Sequence, residues 1–195
     1  MKKGILLSVL VIAVAALTLF TLSDCLQDVA EKNLQAQQLK LMQTILPGSE
    51  VFAQEEYTGE DANIQAVYKA ENGFVVHTRT QGYAGPISML VAVSNEGKVV
   101  GLVVTDLSET LGLGTQVLTD HEFLAQFLNT DGDVTVGTGE DAFSGATGES
   151  SDTGIYVDGV TGATVTSKAI QRSVRSAVAY VTGAEADSGA TSWGG

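Results

Sequence analysis

The chain is poor in the residues that usually hold metals. Its 195 residues include one cysteine, Cys25, and two histidines, His77 and His121. A single thiol cannot close an internal disulfide, and it cannot supply the cysteine clusters of iron–sulfur or zinc sites. The two histidines are far apart in sequence and show no ligand spacing. No twelve-residue Asp/Asn/Gly loop of the calcium-binding kind is present either, so no resident metal is expected. Basic residues are also scarce: 10 Lys and Arg face 23 Asp and Glu, for a net charge of −13, and none lies between Lys98 and Lys168. A chain this acidic lacks the basic footprint that nucleic acid demands. The same charge argues against lying flat on anionic lipid.

What the chain does have begins at its N-terminus. Lys2 and Lys3 precede Gly4–Ser23, twenty residues without a charge. As a helix that run is about 30 Å long, the thickness of a hydrocarbon core. Lysines before it and Asp24 after it orient it with the N-terminus in the cytoplasm. Three readings fit: a retained transmembrane anchor, a cleaved signal peptide, or a lipoprotein leader ending at Cys25. The run is longer than a usual signal core and no small-x-small cleavage site follows at once, which favours the anchor. Asp24 fits poorly before a lipidated cysteine. All three readings place the remaining chain outside the cytoplasm. The expected organisation is a cytoplasmic N-terminus and transmembrane helix over 1–24, a stalk or first domain helix over 25–47, one extracytoplasmic domain over 48–183, and a flexible tail over 184–195.

Within the domain, periodicity predicts an α+β fold, an antiparallel-rich sheet with flanking helices. Leu26, Val29, Leu34, Leu41 and Ile45 recur at helical intervals, and Pro47-Gly48 stops that helix. Ile64–Glu71 and Phe74–Thr80 flank Asn72-Gly73, a two-residue hairpin signal in which both turn positions need positive φ. Ile87–Val93 and Lys98–Thr105 flank Ser94-Asn95-Glu96-Gly97, a second hairpin. These two runs are apolar enough to be central strands with a helix over one face. Thr119 and Glu122 form a capping box for a helix carrying Phe123, Leu124, Phe127 and Leu128, expected in the core. Asn129–Thr153 reads as a long exposed loop. Ile155–Val157 is a short strand, and Lys168–Val181 an amphipathic helix ending at Gly183.

Between that last strand and helix lies Asp158-Gly-Val-Thr161-Gly162-Ala163-Thr164-Val-Thr166-Ser167. A small, hydroxyl-rich loop opening a helix can hold a phosphate, because the first-turn N–H groups lack intrahelical partners and the helix dipole favours an anion there. Earlier, Glu109-Thr110-Leu111-Gly112-Leu113-Gly114 places two glycines where a ligand could approach the backbone.

These residues resemble a known family. Asp158-x-x-Thr161-Gly162-Ala163-Thr164-x-Thr166 is similar to the Asp-x-x-Ser/Thr-Gly-Ala-Ser/Thr-x-Ser/Thr signature of domains that carry covalent FMN. Glu109–Gly114 resembles that family's Glu-Thr-Pro-Gly-Leu-Gly loop, with Leu111 in place of proline. Gly82-Tyr83-Ala84-Gly85-Pro86-Ile87 resembles its Gly-Tyr-x-Gly-x-Ile segment. Over nearly its whole length the chain is similar to the G subunits of Rnf electron-transport complexes, relatives of the C subunit of the sodium-pumping NADH:quinone oxidoreductase. The resemblance implies an electron-transfer subunit of an ion-translocating ferredoxin:NAD oxidoreductase. It implies FMN joined by a phosphoester to Thr164, attached by a flavin transferase. Integral-membrane and peripheral subunits of the complex would be its partners. Thr161, Gly162, Ala163, Thr166, Ser167 and Lys168 would surround the phosphate. Glu109, Thr110, Gly112, Leu113 and Gly114 would approach the isoalloxazine or ribityl chain. No catalytic acid, base or nucleophile stands out. A second copy, Asp141-Ala-Phe-Ser144-Gly145-Ala146-Thr147, lacks the hydroxyl two residues on and any following helix, so Thr164 is the expected acceptor. Two other readings stay open: a free-standing extracytoplasmic FMN carrier serving a quinone or extracellular acceptor, and a non-redox surface lipoprotein.

Overall fold

A computed structural model describes residues 32–83, 85–107, 118–137, 155–158 and 163–184. The chain divides into two compact units, Met1–Leu41 and Met42–Gly195. Described residues of the first unit, 32–41, are helical, and this helix, α1, runs to residue 45. The apolar run Gly4–Ser23 lies outside the described residues. Among the described residues no helix is long and apolar enough to cross a membrane.

The second unit is built on a five-stranded sheet. Its strands are β1 (Ala53–Glu55), β2 (Ile64–Ala70), β3 (Gly73–Gln81), β4 (Pro86–Ser94) and β5 (Val99–Leu107). They lie in the order β1-β2-β3-β4-β5 and pair antiparallel throughout. Both predicted hairpins form. The first differs in detail: Ala70 pairs with Gly73, so the loop is Glu71-Asn72, and Asn72 does not take a positive φ. Gly73 instead opens β3 at φ +156°, where a Cβ would sit 2.2 Å from the Val93 carbonyl oxygen. The glycine is therefore needed for strand-to-strand approach and not for the turn. The second hairpin closes through Gly97 at φ +78°, with Ser94 N–H donating to Lys98 O at 2.8 Å. Residues 82–85 form a third hairpin loop, since β3 and β4 pair all the way to Gln81 and Pro86.

Helix α3 (Thr164–Thr182) packs on β3 and β4. Ile170, Val174 and Ala177 of α3 meet Val76, Met89 and Val91. On the opposite face of the sheet Met42, Ile45 and Leu46 pack on Val75, Leu90 and Ala92. The sheet is thus covered on both faces, not one. That is why β4 is apolar almost without alternation. Gly101 permits the second covering, since a Cβ there would lie 2.3 Å from the Ile45 carbonyl oxygen.

The segment after β5 departs from expectation in two places. Helix α2 (His121–Ala125) is capped by Asp120, whose carboxylate accepts from the N–H of Glu122 and Phe123. Thr119 is not the cap, because Asp120 sits one residue nearer and its carboxylate reaches two donors. Phe123 and Phe127 are buried and meet edge to face at 5.4 Å, but Leu128 is 43% exposed because the helix ends before it. Asn129–Thr153 is not all loop. β6 (Val134–Gly137) pairs parallel with β7 (Ile155–Asp158), Val134 and Val136 are buried, and α3 packs on β6. A four-residue strand whose partner lies about twenty residues away leaves no local signature.

Candidate functional site

Helix α3 starts at Thr164, four residues before its periodic stripe begins. Thr164, Val165 and Thr166 are β-branched and weak helix formers, so the pattern is legible only from Lys168 onward. Thr164 therefore lies in the first turn. Its cap residue, Ala163, has φ −123° and ψ 27° and gives no side-chain hydrogen bond. Ser167 N–H donates to Ala163 O at 2.9 Å. The N–H groups before it have no intrahelical acceptor, and the first turn carries no acidic side chain. The first turn of α3 therefore carries no carboxylate of its own against the positive end of the dipole.

The side chains around it are arranged for an acceptor. Ala163 is buried and small, Thr164 is half-buried, and Lys168 is exposed. Thr166 and Ser167 are both 0% exposed, and among the described residues neither hydroxyl has a hydrogen-bond partner. A buried hydroxyl without a partner costs free energy on the order of 1–3 kcal/mol. Two of them next to a helix N-terminus fit a phosphate group, whose oxygens accept from hydroxyl and backbone donors alike.

The fold also brings the other sequence-predicted segments to this end. Thr80 Oγ1 donates to Ala169 O at 3.0 Å and lies 3.0 Å from Ser173 Oγ. Arg172 Nη2 donates to Gln81 O at 2.8 Å. The last residues of β3 thus lie beside Ala169–Ser173, the second and third turns of α3. Gln81 pairs with Pro86 and Ile87 with Leu107. Loop 82–85 and the end of β5, two residues before Glu109, therefore lie at the same edge as Thr164. Thr161, Gly162, Glu109, Thr110, Gly112, Leu113 and Gly114, with Thr147 of the second motif copy, lie outside the described residues.

Sequence reasoning missed two residues here, Arg172 and Val165, and named a third, Tyr83, only within its motif. Arg172 is four residues beyond Lys168, on the same helix face, and ties the end of β3 to α3 through the Gln81 carbonyl; burial pushes its guanidinium below the ordinary value. Val165 is 42% exposed in the first turn, and Tyr83 is 80% exposed on the loop. Large exposed apolar groups at a phosphate-friendly helix start suit a flat ring. The i, i+4 spacing could have signalled Arg172; the other two depend on exposure.

Comparisons with known proteins bear on the same segments. The family model described as "FMN-binding domain" matches residues 82–179. The G subunit of the proton-translocating ferredoxin:NAD(+) oxidoreductase complex of Clostridium ljungdahlii is 35% identical over 120 residues, covering 59% of this chain and 59% of that protein. The G subunit of the ion-translocating oxidoreductase complex of Methanosarcina acetivorans is 31% identical over 197 residues, covering 93% of this chain and 95% of that protein. The chain thus spans under two thirds of the first relative and nearly all of the second. The solved structure of the C subunit of Na(+)-translocating NADH-quinone reductase from Parabacteroides distasonis has 22% identity and a TM-score of 0.45, covering 60% of each chain.

Proposed function

The chain belongs to the FMN-binding domain family, among the G subunits of ion-translocating oxidoreductase complexes, and from that premise we propose a specific role. It is an electron-transfer subunit that carries FMN as a phosphoester on Thr164. The observation carrying this reading is the first turn of α3. Thr164 lies in an uncapped helix start, above two buried hydroxyls that lack partners among the described residues. Ala163 keeps bulk away from the attachment point. Thr166 and Ser167 would offer their hydroxyls to the phosphate oxygens, and Lys168 would add positive charge at the rim. Arg172 holds the end of β3, at Gln81, against α3. By the family resemblance, Thr161 and Gly162 would belong to the phosphate loop, and Glu109, Thr110, Gly112, Leu113 and Gly114 would serve the isoalloxazine or ribityl chain.

Bound there, FMN supplies one- and two-electron transfer, while the protein positions it and sets its surroundings. A covalent tether retains the cofactor outside the cytoplasm, where it cannot be replenished. Gly4–Ser23 serves as a single-pass anchor with the N-terminus inside. The partners are the membrane and peripheral subunits of a ferredoxin:NAD oxidoreductase complex, and a flavin transferase matures the chain. Mass spectrometry of the membrane-purified protein should find a gain of one FMN less one water on the peptide containing Thr164. An unmodified peptide in cells possessing the transferase sinks this proposal.

A further inference from the structure

The C-terminal end of α3 carries a different site. The helix has 19 residues, so its two ends are about 27 Å apart. A cavity of about 620 Å³ opens there, between the loop joining β1 to β2 and the last turn of α3. Glu56, Glu60 and Asp61 line it, together with Tyr57 and Tyr180, and none of its lining residues is basic. The helix ends at Gly183 in the left-handed conformation, and its last turn has no basic residue to offset the terminal carbonyls. The negative end of the dipole therefore adds to the three carboxylates.

Asp61 is the group that points to a ligand. It is 9% exposed. One carboxylate oxygen accepts from Asn63 N–H at 2.9 Å, and its own N–H donates to Tyr57 Oη at 3.0 Å. The other oxygen, Oδ2, is buried and has no partner among the described residues. A buried carboxylate oxygen without a donor is unfavourable, and a cation is its natural complement. Among the described residues no group of three metal-ligating side chains converges, so a bare metal ion is not the fit. The walls are aromatic instead: the Tyr57 and Tyr180 rings meet edge to face at 5.9 Å. A guanidinium suits this combination, because its planar fork matches a carboxylate while its face stacks on aromatic rings. The volume exceeds what one side chain fills, so a loop tip can enter with it. The chain's own tail beyond Ala184 carries Glu185 and Asp187 and no Lys or Arg, so it does not supply the charge.

We propose that this cavity receives an arginine-bearing loop of a partner polypeptide, with the guanidinium on Asp61. That the partner is a subunit of the same complex rests on the function proposed above; the preference for a guanidinium does not. The test places a photo-cross-linking benzoylphenylalanine at Thr58 of the full chain in living cells. The expected result is one adduct whose partner peptide contains an arginine. Glu60→Lys and Asp61→Asn should each weaken the adduct at least tenfold, and reversing that arginine to glutamate should restore it in Glu60→Lys. Asp61→Asn keeps an oxygen for Asn63 N–H, so the loop retains its turn. Four outcomes overturn the proposal: no adduct, an adduct unaffected by both variants, an adduct only to the chain's own Trp193 peptide, or saturable binding of arginine methyl ester to the purified chain with no adduct. Flavin fluorescence of the denatured chain is read in the same samples, so failure at Thr164 is distinguished from failure here.

Discussion

The two ends of α3 have opposite characters. At the N-terminal end the helix start is uncapped, free of carboxylates and followed by Thr166, Ser167 and Lys168. At the C-terminal end three carboxylates and two tyrosines surround a cavity, and no basic residue answers the terminal carbonyls. A helix dipole sets opposite potentials at its ends, and ordinary proteins neutralise both with side chains of opposite sign. Here neither the first nor the last turn of the helix carries such a side chain. Each end leaves buried polar atoms without partners among the described residues, the Thr166 and Ser167 hydroxyls at one end and Asp61 Oδ2 at the other. The lesson is that one element can present an anion-seeking and a cation-seeking site together. The middle of the helix supplies the stability that tolerates both.

The comparison can be broken most completely at the N-terminal end. Thr164→Ala should abolish the fluorescent band of the denatured chain on a gel under ultraviolet light, and Thr147→Ala should leave it intact. The reverse pattern would move the attachment to the second motif copy. Next in size is the shared middle. Ile170 is fully buried against the sheet, so Ile170→Ala should lower unfolding free energy by about 2–5 kcal/mol in urea titration. Loss at both sites together would show that the core supports both ends.

A smaller effect sharpens the electrostatic contrast. Val165→Glu places a carboxylate in the first turn at an exposed position. It should stabilise the flavin-free chain by about 0.3–1 kcal/mol while reducing flavin loading, because the same charge that suits the dipole repels a phosphate. Stability and loading moving together would contradict the reading of this end. The smallest effect lies away from both ends. Burial, and then the Arg79 charge, hold His77 below its ordinary value of 6.5. The unfolded chain then binds the proton more readily than the folded one. The contribution of His77 is fully present above pH 6.5 and is lost as pH falls from 6.5 through the lowered folded value. Urea midpoints measured across that window should slope downward toward acid, and His77→Gln should flatten the slope without altering flavin loading.

Much of the fold was legible in the sequence because its contacts are local. The antiparallel meander joins neighbouring strands through short loops, so turn residues and apolar runs located β2 to β5 within a residue or two. The misreadings share a cause in competition between nearby groups. Asp120 outcompetes Thr119 as the cap, and Gly73 serves strand approach in place of a turn. The β6–β7 pair was missed because parallel partners distant in sequence leave no local pattern. At the site, the Thr164 motif could be read directly, since a small, hydroxyl-rich run opening a helix is a local pattern. The orphaned state of Thr166 and Ser167 could not, because burial depends on what packs above them.

By itself, then, the sequence determined the elements and the chemistry available to them. It prescribed a hydroxyl-rich loop opening a helix, apolar strands joined by hairpins, and an acidic surface with few cations, all consequences of backbone preference and local side-chain pattern. Tertiary structure decided which groups share a place. Antiparallel pairing of Gln81 with Pro86 and of Ile87 with Leu107 gathers the ends of β3 and β5 and the start of β4 at one edge of the sheet, where Gln81 meets Arg172 of α3. Packing α3 along β3 and β4 sets its other end beside Asp61, 122 residues before Gly183. Those juxtapositions arise from burying one apolar stripe against one sheet face, and such burial is a property of the assembled core and not of any local run of residues.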